Sequence, residues 1–370
     1  MDSRIEEHAQ IIIDHSIDVE EGDEVLITAP PEAEDLIVSL HEHLAERGAF
    51  PLNINLRSNE RVQRAFMRAM DPADYDEPPE TMLKIAEGVD AAIAVRASSN
   101  THETGDVPPE KNTAYAAVMK PISEKIMDKR WVSTQYPASG NAQDAEMSTE
   151  AYADFVYDAV NKDWEAQREF QAQMVDILED GDKVRIVSGD TTDVTMSISG
   201  MHAINDYAER NLPGGEVFTA PVPDSVEGEV LFDKPVMAQA REIEGARLVF
   251  EDGTVVEHDA EKNEEVLAAV LDTDKGARRL GELGIGMNRD INQFTYNMLF
   301  DEKMGDTVHM ALGRAYDKTV GDDVQQNDSA MHLDMIVDMA EDSRIEVDGE
   351  VVQCDGNFVF EDGFEATEVE

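Results

Sequence analysis

Between Thr307 and Met335 the chain alternates apolar and polar residues with a period of two, and this restricts how it can fold. Val308, Met310 and Leu312 fall on one side, Thr307, His309 and Ala311 on the other. Farther on, Met331, Leu333 and Met335 alternate with His332 and Asp334. A period of two predicts strands with one buried face each. His309 then stands on the face opposite the apolar one, while His332 and Asp334 point the same way, about 7 Å apart along their strand. A His and an Asp side by side among apolar residues are unfavourable unless something pairs with them. A metal ion would do so. A lone strand histidine is more often an ordinary hydrogen-bonded residue, so at this point both readings stand.

Two upstream stretches add carboxylates. GELGIGMN, Gly281 to Asn288, sets Glu282 among glycines, and in PGGEVFTAP, Pro213 to Pro221, Glu216 opens an apolar strand. Glu216 has no Lys or Arg close in sequence to neutralise it. Glu282 follows Arg278 and Arg279, which leaves an ordinary ion pair as its alternative. Two Glu, two His and one Asp form a donor set suited to two divalent ions. GELGIG is not a phosphate loop, because its carboxylate would repel the phosphate and no Lys follows.

GGEVFTAP, ELGIGMN, LFDEKMGDTVHMALGRAY and HLDM, in this order, resemble the family of dinuclear metalloaminopeptidases related to aminopeptidase T and aminopeptidase S. The resemblance covers nearly the whole chain. It implies that Glu216, Glu282, His309, His332 and Asp334 ligate two divalent ions (zinc, cobalt or manganese) and that Tyr316 is the catalytic tyrosine. It implies peptide substrates with a free N-terminus, whose first peptide bond is hydrolysed by a metal-activated water, and a homodimer. Tyr316 would donate a hydrogen bond to the developing oxyanion. The general base stays open between Glu216 and Glu282. Lys303 and Arg314, inside the third motif, could orient ligands or hold a substrate carbonyl. Asp306 stands where the family often has a small residue. Two other classes remain as alternatives: another dinuclear hydrolase, such as a phosphoesterase, and a non-catalytic acidic protein that binds cations diffusely.

Composition narrows the classes further. The 81 acidic and 30 basic residues leave a net charge of −51, which argues against nucleic-acid and anionic-membrane partners. The acids are spread from end to end, yet 41% of residues are hydrophobic and periodic, unlike a disordered acidic chain. A globular enzyme with an acidic, salt-adapted surface fits both facts. A single cysteine, Cys354, excludes an internal disulfide and fits a cytoplasmic protein. The acidic, polar MDSRIEEHAQ is not expected to act as a signal peptide.

With 370 residues, two domains are expected. The fold class is α/β, with an N-terminal parallel α/β domain (1–178) and a C-terminal mixed α+β metal-binding domain (179–370). In the first, helical periodicity over 3–16, a strand at 24–29, a helix over 31–47 ended by Gly48 and a strand through PLNINL make a β-α-β unit. A third strand at 90–96, a helix over 110–128 and a strand at RWVSTQYP extend it. GxGxxG is absent, so no dinucleotide site is expected. Helices from Thr149 and over 163–178 lead into the second half, where EDGDKVRI echoes the earlier EEGDEVLI. A hairpin over 242–258 turns at Asp252-Gly253, and a meander over 344–360 turns at Asp348-Gly349 and Asp355-Gly356. The N-terminal domain is expected to cover the site or build the dimer.

The charge leads to a prediction about salt. At about 0.1 M salt the screening length is about 10 Å, so surface acids feel their neighbours; at about 1 M it falls to about 3 Å. Thermal unfolding midpoints should therefore rise steeply between about 0.1 and 2 M KCl, with activity following. A flat or falling midpoint over that range would contradict the salt-adapted reading.

Overall fold

The computed structural model describes residues 2–53, 60–238 and 241–365. It divides into two compact units, 1–162 with 208–214, and 163–207 with 215–370. Among the described residues, no helix is long and apolar enough to cross a membrane.

The first unit is built on a parallel sheet. Its strands are β1 (Glu24–Thr28), β2 (Phe50–Asn53), β3 (Ala91–Arg96) and β4 (Arg130–Gln135), in the order β2-β1-β3-β4. The short strand Asn211–Leu212 joins parallel to β4 at the edge. The β-α-β unit is as expected: the helix Glu34–Arg47 links β1 to β2 and ends at Gly48 with φ 74°, a left-handed position that glycine adopts without strain. Residues 54–56 of the PLNINL stretch lie outside the described residues. The first helix, Ser3–Ile11, passes into a π-helical turn at Ile12–Ser16, and the helices Pro109–Met127 and Thr149–Val160 form where their periodicity places them. Ser148 caps the last of these, accepting the Ala151 N–H at 3.2 Å.

The second unit has two large antiparallel sheets and a two-stranded one. Five strands concern the site: β5 (Ile204–Asp206), β6 (Glu216–Thr219), β7 (Leu280–Gly286), β8 (Thr307–Gly313) and β9 (His332–Asp338), ordered β9-β8-β7-β6-β5. The other large sheet is eight-stranded and contains both predicted turn regions. The hairpin Ala246–Glu251/Thr254–Asp259 turns with φ 48° at Asp252 and 72° at Gly253, the two left-handed residues that match the strand twist. The expected hairpin began four residues earlier, but Arg241–Ile243 pairs instead with Val236–Ala238.

One face of the β5–β9 sheet shares a single apolar core with the eight-stranded sheet. Val217, Leu283, Ile285, Val308, Met310, Leu312, Met335 and Val337 lie in it together with Ile186, Val194, Val230, Phe232, Leu248 and Phe250. Each fully buried side chain of this kind contributes roughly 1.5–3 kcal/mol. A one-residue slip of β7 or β8 would exchange that set for Glu282 or His309, so the core fixes the register. The opposite face is thereby left with the polar residues.

The division between the units falls at 162/163, not at 178/179, and residues 208–214 belong to the first unit. The helix Trp164–Asp180 stays with the second because two buried glutamines tie it to that unit's backbone. Gln171 Nε2 donates to the carbonyls of Glu216 (2.9 Å) and Asp206 (3.0 Å), and Gln167 Nε2 to that of Met287 (3.1 Å).

In the first unit His8 is fully buried, with its Nε2 2.8 Å from the Thr134 hydroxyl of β4, and burial pulls its pKa down to about 3. Its folded pKa lies below its unfolded one, so the unfolded chain takes up a proton that the native ring refuses, and stability falls with pH from about 6.5 toward 3. His8→Gln should flatten the pH dependence of urea unfolding in that window by up to about 1.4 kcal/mol per pH unit, at fixed high salt. Equal slopes for the two proteins would mean that His8 does not titrate in this way.

Candidate metal centre

The polar face of the β5–β9 sheet collects every ligand candidate. On β7 and β6, Gly284 pairs with Phe218 and Gly286 with Glu216, while Gly284 also faces His309 of β8. Ala311 lies in register between Glu282 and Asp334, and Gly313 opposite His332. The small Ala311 leaves the space between the two carboxylates open. A Cβ on Gly284 would stand 2.0 Å from Cε1 and Nε2 of His309. The glycine in GELGIG is thus the floor on which the imidazole rests. Gly215, ahead of Glu216, has φ 116° and a Cβ there would meet Asn288 at 2.5 Å, so PGG lets the chain pass close beneath.

The candidates fall into two groups that share one residue. Glu216, Glu282 and His309 offer atoms within 4.8 Å of one another, and so do Glu282, His332 and Asp334. His309 Nε2 lies 3.2 Å from Glu216 Oε2 and 3.2 Å from Glu282 Oε1. His332 Nε2 lies 3.2 Å from Asp334 Oδ1 and 3.8 Å from Glu282 Oε2. Nδ1 of His332 is 2.8 Å from the Arg314 carbonyl, which can only accept, so Nδ1 carries the proton and Nε2 is free to bind a cation. Glu216, Glu282 and His309 are buried, and His332 and Asp334 partly so.

Glu216 Oε2, Glu282 Oε2 and Asp334 Oδ1 are buried and accept no hydrogen bond from any described residue. Unsatisfied buried carboxylate oxygens carry a desolvation cost that a cation removes. Together with two imidazoles they make a mixed nitrogen–oxygen set, and the residues present fit divalent ions. The ion-pair alternative for Glu282 is not realised: Arg278 donates to Asp272 and Arg279 to the Pro223 carbonyl.

The protonation of the protein alone follows from the same crowding. Burial disfavours a charged His309, but Glu282, Glu216 and Asp334 outweigh it and push the ring up to about 10. His332, against its own desolvation, is pushed up to about 9 by Asp334 and Glu282. Burial raises Glu282, whereas the cations beside Asp334, His332 first, overcome its burial and hold it below the usual range.

Three further charged groups surround the set. Lys303 is fully buried, with Nζ 3.2 Å from Glu216 Oε1, 3.9 Å from Asp206 Oδ2 and in contact with Glu302. Its motif position suggested an orienting role, and the structure puts it against Glu216. Asp206 and Glu302 were not foreseen. Asp206 arrives by register, paired with Glu216 across β5 and β6. Burial pushes it up to about 7 against the pull of Lys303. Glu302 sits at the end of a short helix, Met298–Asp301, and burial raises it, as do Glu216 and Asp334. Its signal was legible, since it is the residue before Lys303 in the third motif. Arg314 pairs with Asp317 at 3.3 Å, and Glu227 accepts the Asp252 N–H of the hairpin.

Tyr316 stands beside this set. Its ring centroid is 4.9 Å from that of His332 and 6.1 Å from that of Phe218, over whose face Lys318 Nζ lies at 4.6 Å. Desolvation, with Glu282 and Asp334 next, pushes the phenol well above its ordinary value, so it stays a hydrogen-bond donor.

The model of the thermophilic metalloprotease (M29) family matches residues 1–364. The chain belongs to the M29 family. Aminopeptidase T of Thermus aquaticus is 29% identical, over 92% of this chain and 93% of that protein. Aminopeptidase 2 of Geobacillus stearothermophilus is 26% identical, over 97% and 98%. Among solved structures, wild-type AmpT from Thermus thermophilus superposes with a TM-score of 0.84 at 26% identity, covering 96% of this chain and 99% of that one. A 2,5-dihydroxypyridine dioxygenase from Pseudomonas putida KT2440 shares the fold, with a TM-score of 0.61 at 13% identity over 97% of each chain.

The Cε1–Nε2 edge of the His309 ring comes so close to Gly284 that a one-methyl test is possible. Gly284→Ala should lower divalent-ion affinity by roughly 10–100-fold, as moving a ligand's support does. Gly88→Ala, where a Cβ meets nothing within 4 Å, should leave it unchanged. Equilibrium dialysis of both variants decides, and equal affinities would show that the ring is not a ligand.

Proposed function

We infer that this M29 chain is a metal-dependent aminopeptidase, and we propose that Glu216, Glu282, His309, His332 and Asp334 hold two divalent ions with Glu282 shared between them. The single observation that supports this most is the pair of three-residue groups meeting at Glu282, with buried carboxylate oxygens left unsatisfied in both. The relatives named aminopeptidases support the reaction. The donor set suits zinc, cobalt or manganese. Bound divalent ions would supply Lewis-acid chemistry, making water nucleophilic and polarising the scissile carbonyl.

The chain's own groups divide the remaining work. The carboxylate-lined face attracts the free α-ammonium of a peptide, which places cleavage after the first residue. Glu302, half-buried and with its proton affinity raised, takes the proton of the attacking water and returns it to the leaving amine. This assigns the base to neither Glu216 nor Glu282, since both are proposed ligands. Lys303 holds Glu216 by its other oxygen, and Arg314 fixes the His332 tautomer through its carbonyl. Tyr316, kept protonated, donates to the developing oxyanion.

Chelator-treated protein should stay folded but release no amino acids from peptides, and zinc, cobalt or manganese should restore cleavage. Tyr316→Phe should bind metal as the parent does while kcat falls by roughly 10²–10³. Full activity in rigorously metal-free protein would overturn the metal reading. Parent-level turnover in Tyr316→Phe would overturn only the tyrosine's role.

A further inference from the structure

Tyr316 lies in the connection between β8 and β9, residues 314–331, whose only regular structure among the described residues is the short turn Asp317–Thr319. A connection of that length ordinarily carries a function or moves. It is tied down at Ser329 and Ala330 by Asp274 and at Thr319–Val320 by Met201 and His202, and beside Tyr316 by one buried amide. Asn327 is 6% exposed, unusual for an amide in a loop. Its side-chain Nδ2 donates to the carbonyls of Gly313 (2.6 Å) and Gly276 (3.0 Å), and its backbone carbonyl accepts the Ala315 N–H at 3.0 Å. Its neighbour Gln326 donates through Nε2 to the Ala315 carbonyl (2.7 Å) and to Asp317 Oδ1 (2.7 Å). Both backbone polar groups of Ala315 are therefore held, and so are Gly313 before it and Asp317 after it. The residue fixed between them is Tyr316.

We propose that Asn327, assisted by Gln326, is a positioning residue that sets the place of the Tyr316 phenol. The proposal rests on the reading of Tyr316 as the oxyanion donor. The hydrogen bonds of the Asn327 side chain go to the Gly313 and Gly276 carbonyls, so it acts through the backbone of 313–317. His332 keeps a tie of its own. The Arg314 carbonyl that accepts from His332 belongs to a residue tied separately, by its N–H to the Met331 carbonyl at 2.8 Å. Loss of the Asn327 amide should thus free Tyr316 and leave the ions in place. A displacement of about 1 Å of a catalytic group is enough to lose roughly 10²-fold in rate.

The test is a double-variant cycle in the metal-loaded full chain, scored as kcat, KM, bound metal and unfolding midpoint. Asn327→Ala and Asn327→Asp, which keeps the shape but loses the donor, should each lower kcat by roughly 10–100-fold with KM and bound metal unchanged. In a Tyr316→Phe background the same changes should cost less than about twofold, because the group they position is already gone. A merely structural asparagine would lower activity in step with the folded fraction and equally in both backgrounds. If Asn327→Ala does not fold, Gln326→Ala at its half-buried neighbour gives the same readout with a smaller loss. Independent effects in the double variant, or parent-level kcat in a folded Asn327→Ala protein, would overturn the clamp alone. Parent-level kcat in Tyr316→Phe would overturn the tyrosine reading and the clamp with it.

Discussion

Glu282 offers one carboxylate oxygen to His309 and the other to His332, and the rest of the second unit is arranged around that division. Both histidines reach Glu282 from one side of its strand, and Glu216 reaches the site from the other. β7 pairs with β8, whose own partner β9 supplies His332 and Asp334, and with β6, which supplies Glu216. The register of four strands is therefore a chemical requirement. It is enforced from the other face, where the apolar core would be opened by any one-residue slip. Backbone precision and ligand geometry come from the same side-chain alternation.

With the two ions proposed above, the charge balance gives a buried lysine a place here. Glu216, Glu282 and Asp334 alone would bring three negative charges, and two divalent ions four positive ones. Asp206 and Glu302 add two carboxyls and Lys303 one ammonium, so with every carboxyl ionised the protein side reaches −4. Lys303 is unable to leave its carboxylates without an uncompensated buried charge, a loss of several kcal/mol. It pins the outer oxygen of Glu216 and leaves the inner one facing His309. The acidic exterior is a separate matter, screened by solvent salt, whereas this interior set is shielded from salt by burial.

How much of this could be read from the residues follows from how local each cause is. Strands β8 and β9 and their polar faces were legible because period-two alternation is a property of neighbours along the chain, whereas β7 showed only a carboxylate among glycines. The Asp-Gly turns were legible because two consecutive left-handed residues have few candidates. Asp206 was not, since AINDYAER has no pattern of its own and reaches the site only through pairing with Glu216. The boundary at Lys162 was hidden for a similar reason: two glutamines bonding to distant backbone carbonyls decide which unit the helix Trp164–Asp180 joins. Asp306 was noted only as a departure from the family's small residue. Its φ of 66° supplies the physical cause, a left-handed position where glycine carries the least strain.

The site also separates two mechanical roles. Every proposed ligand sits on a strand of the sheet, where the core holds it. The two groups proposed to exchange or donate protons, Glu302 and Tyr316, sit just outside strands, one at the end of a single helical turn and one in a long connection. Ligands must match fixed distances before any substrate arrives, which favours rigid elements. Proton-transferring groups must fit a geometry that develops during the reaction, and loops can be tuned without altering the sheet. The consequence for this chain is that loop fastening becomes part of catalysis. A strand residue such as His309 is placed by the core, but Tyr316 has its ring contacts with His332 and Phe218 and the bonds made to its neighbours in the 314–331 connection. On the roles proposed for Tyr316 and Asn327, residues that look like ordinary loop anchors are the ones on which turnover depends, while metal affinity answers to the floor residues of the sheet.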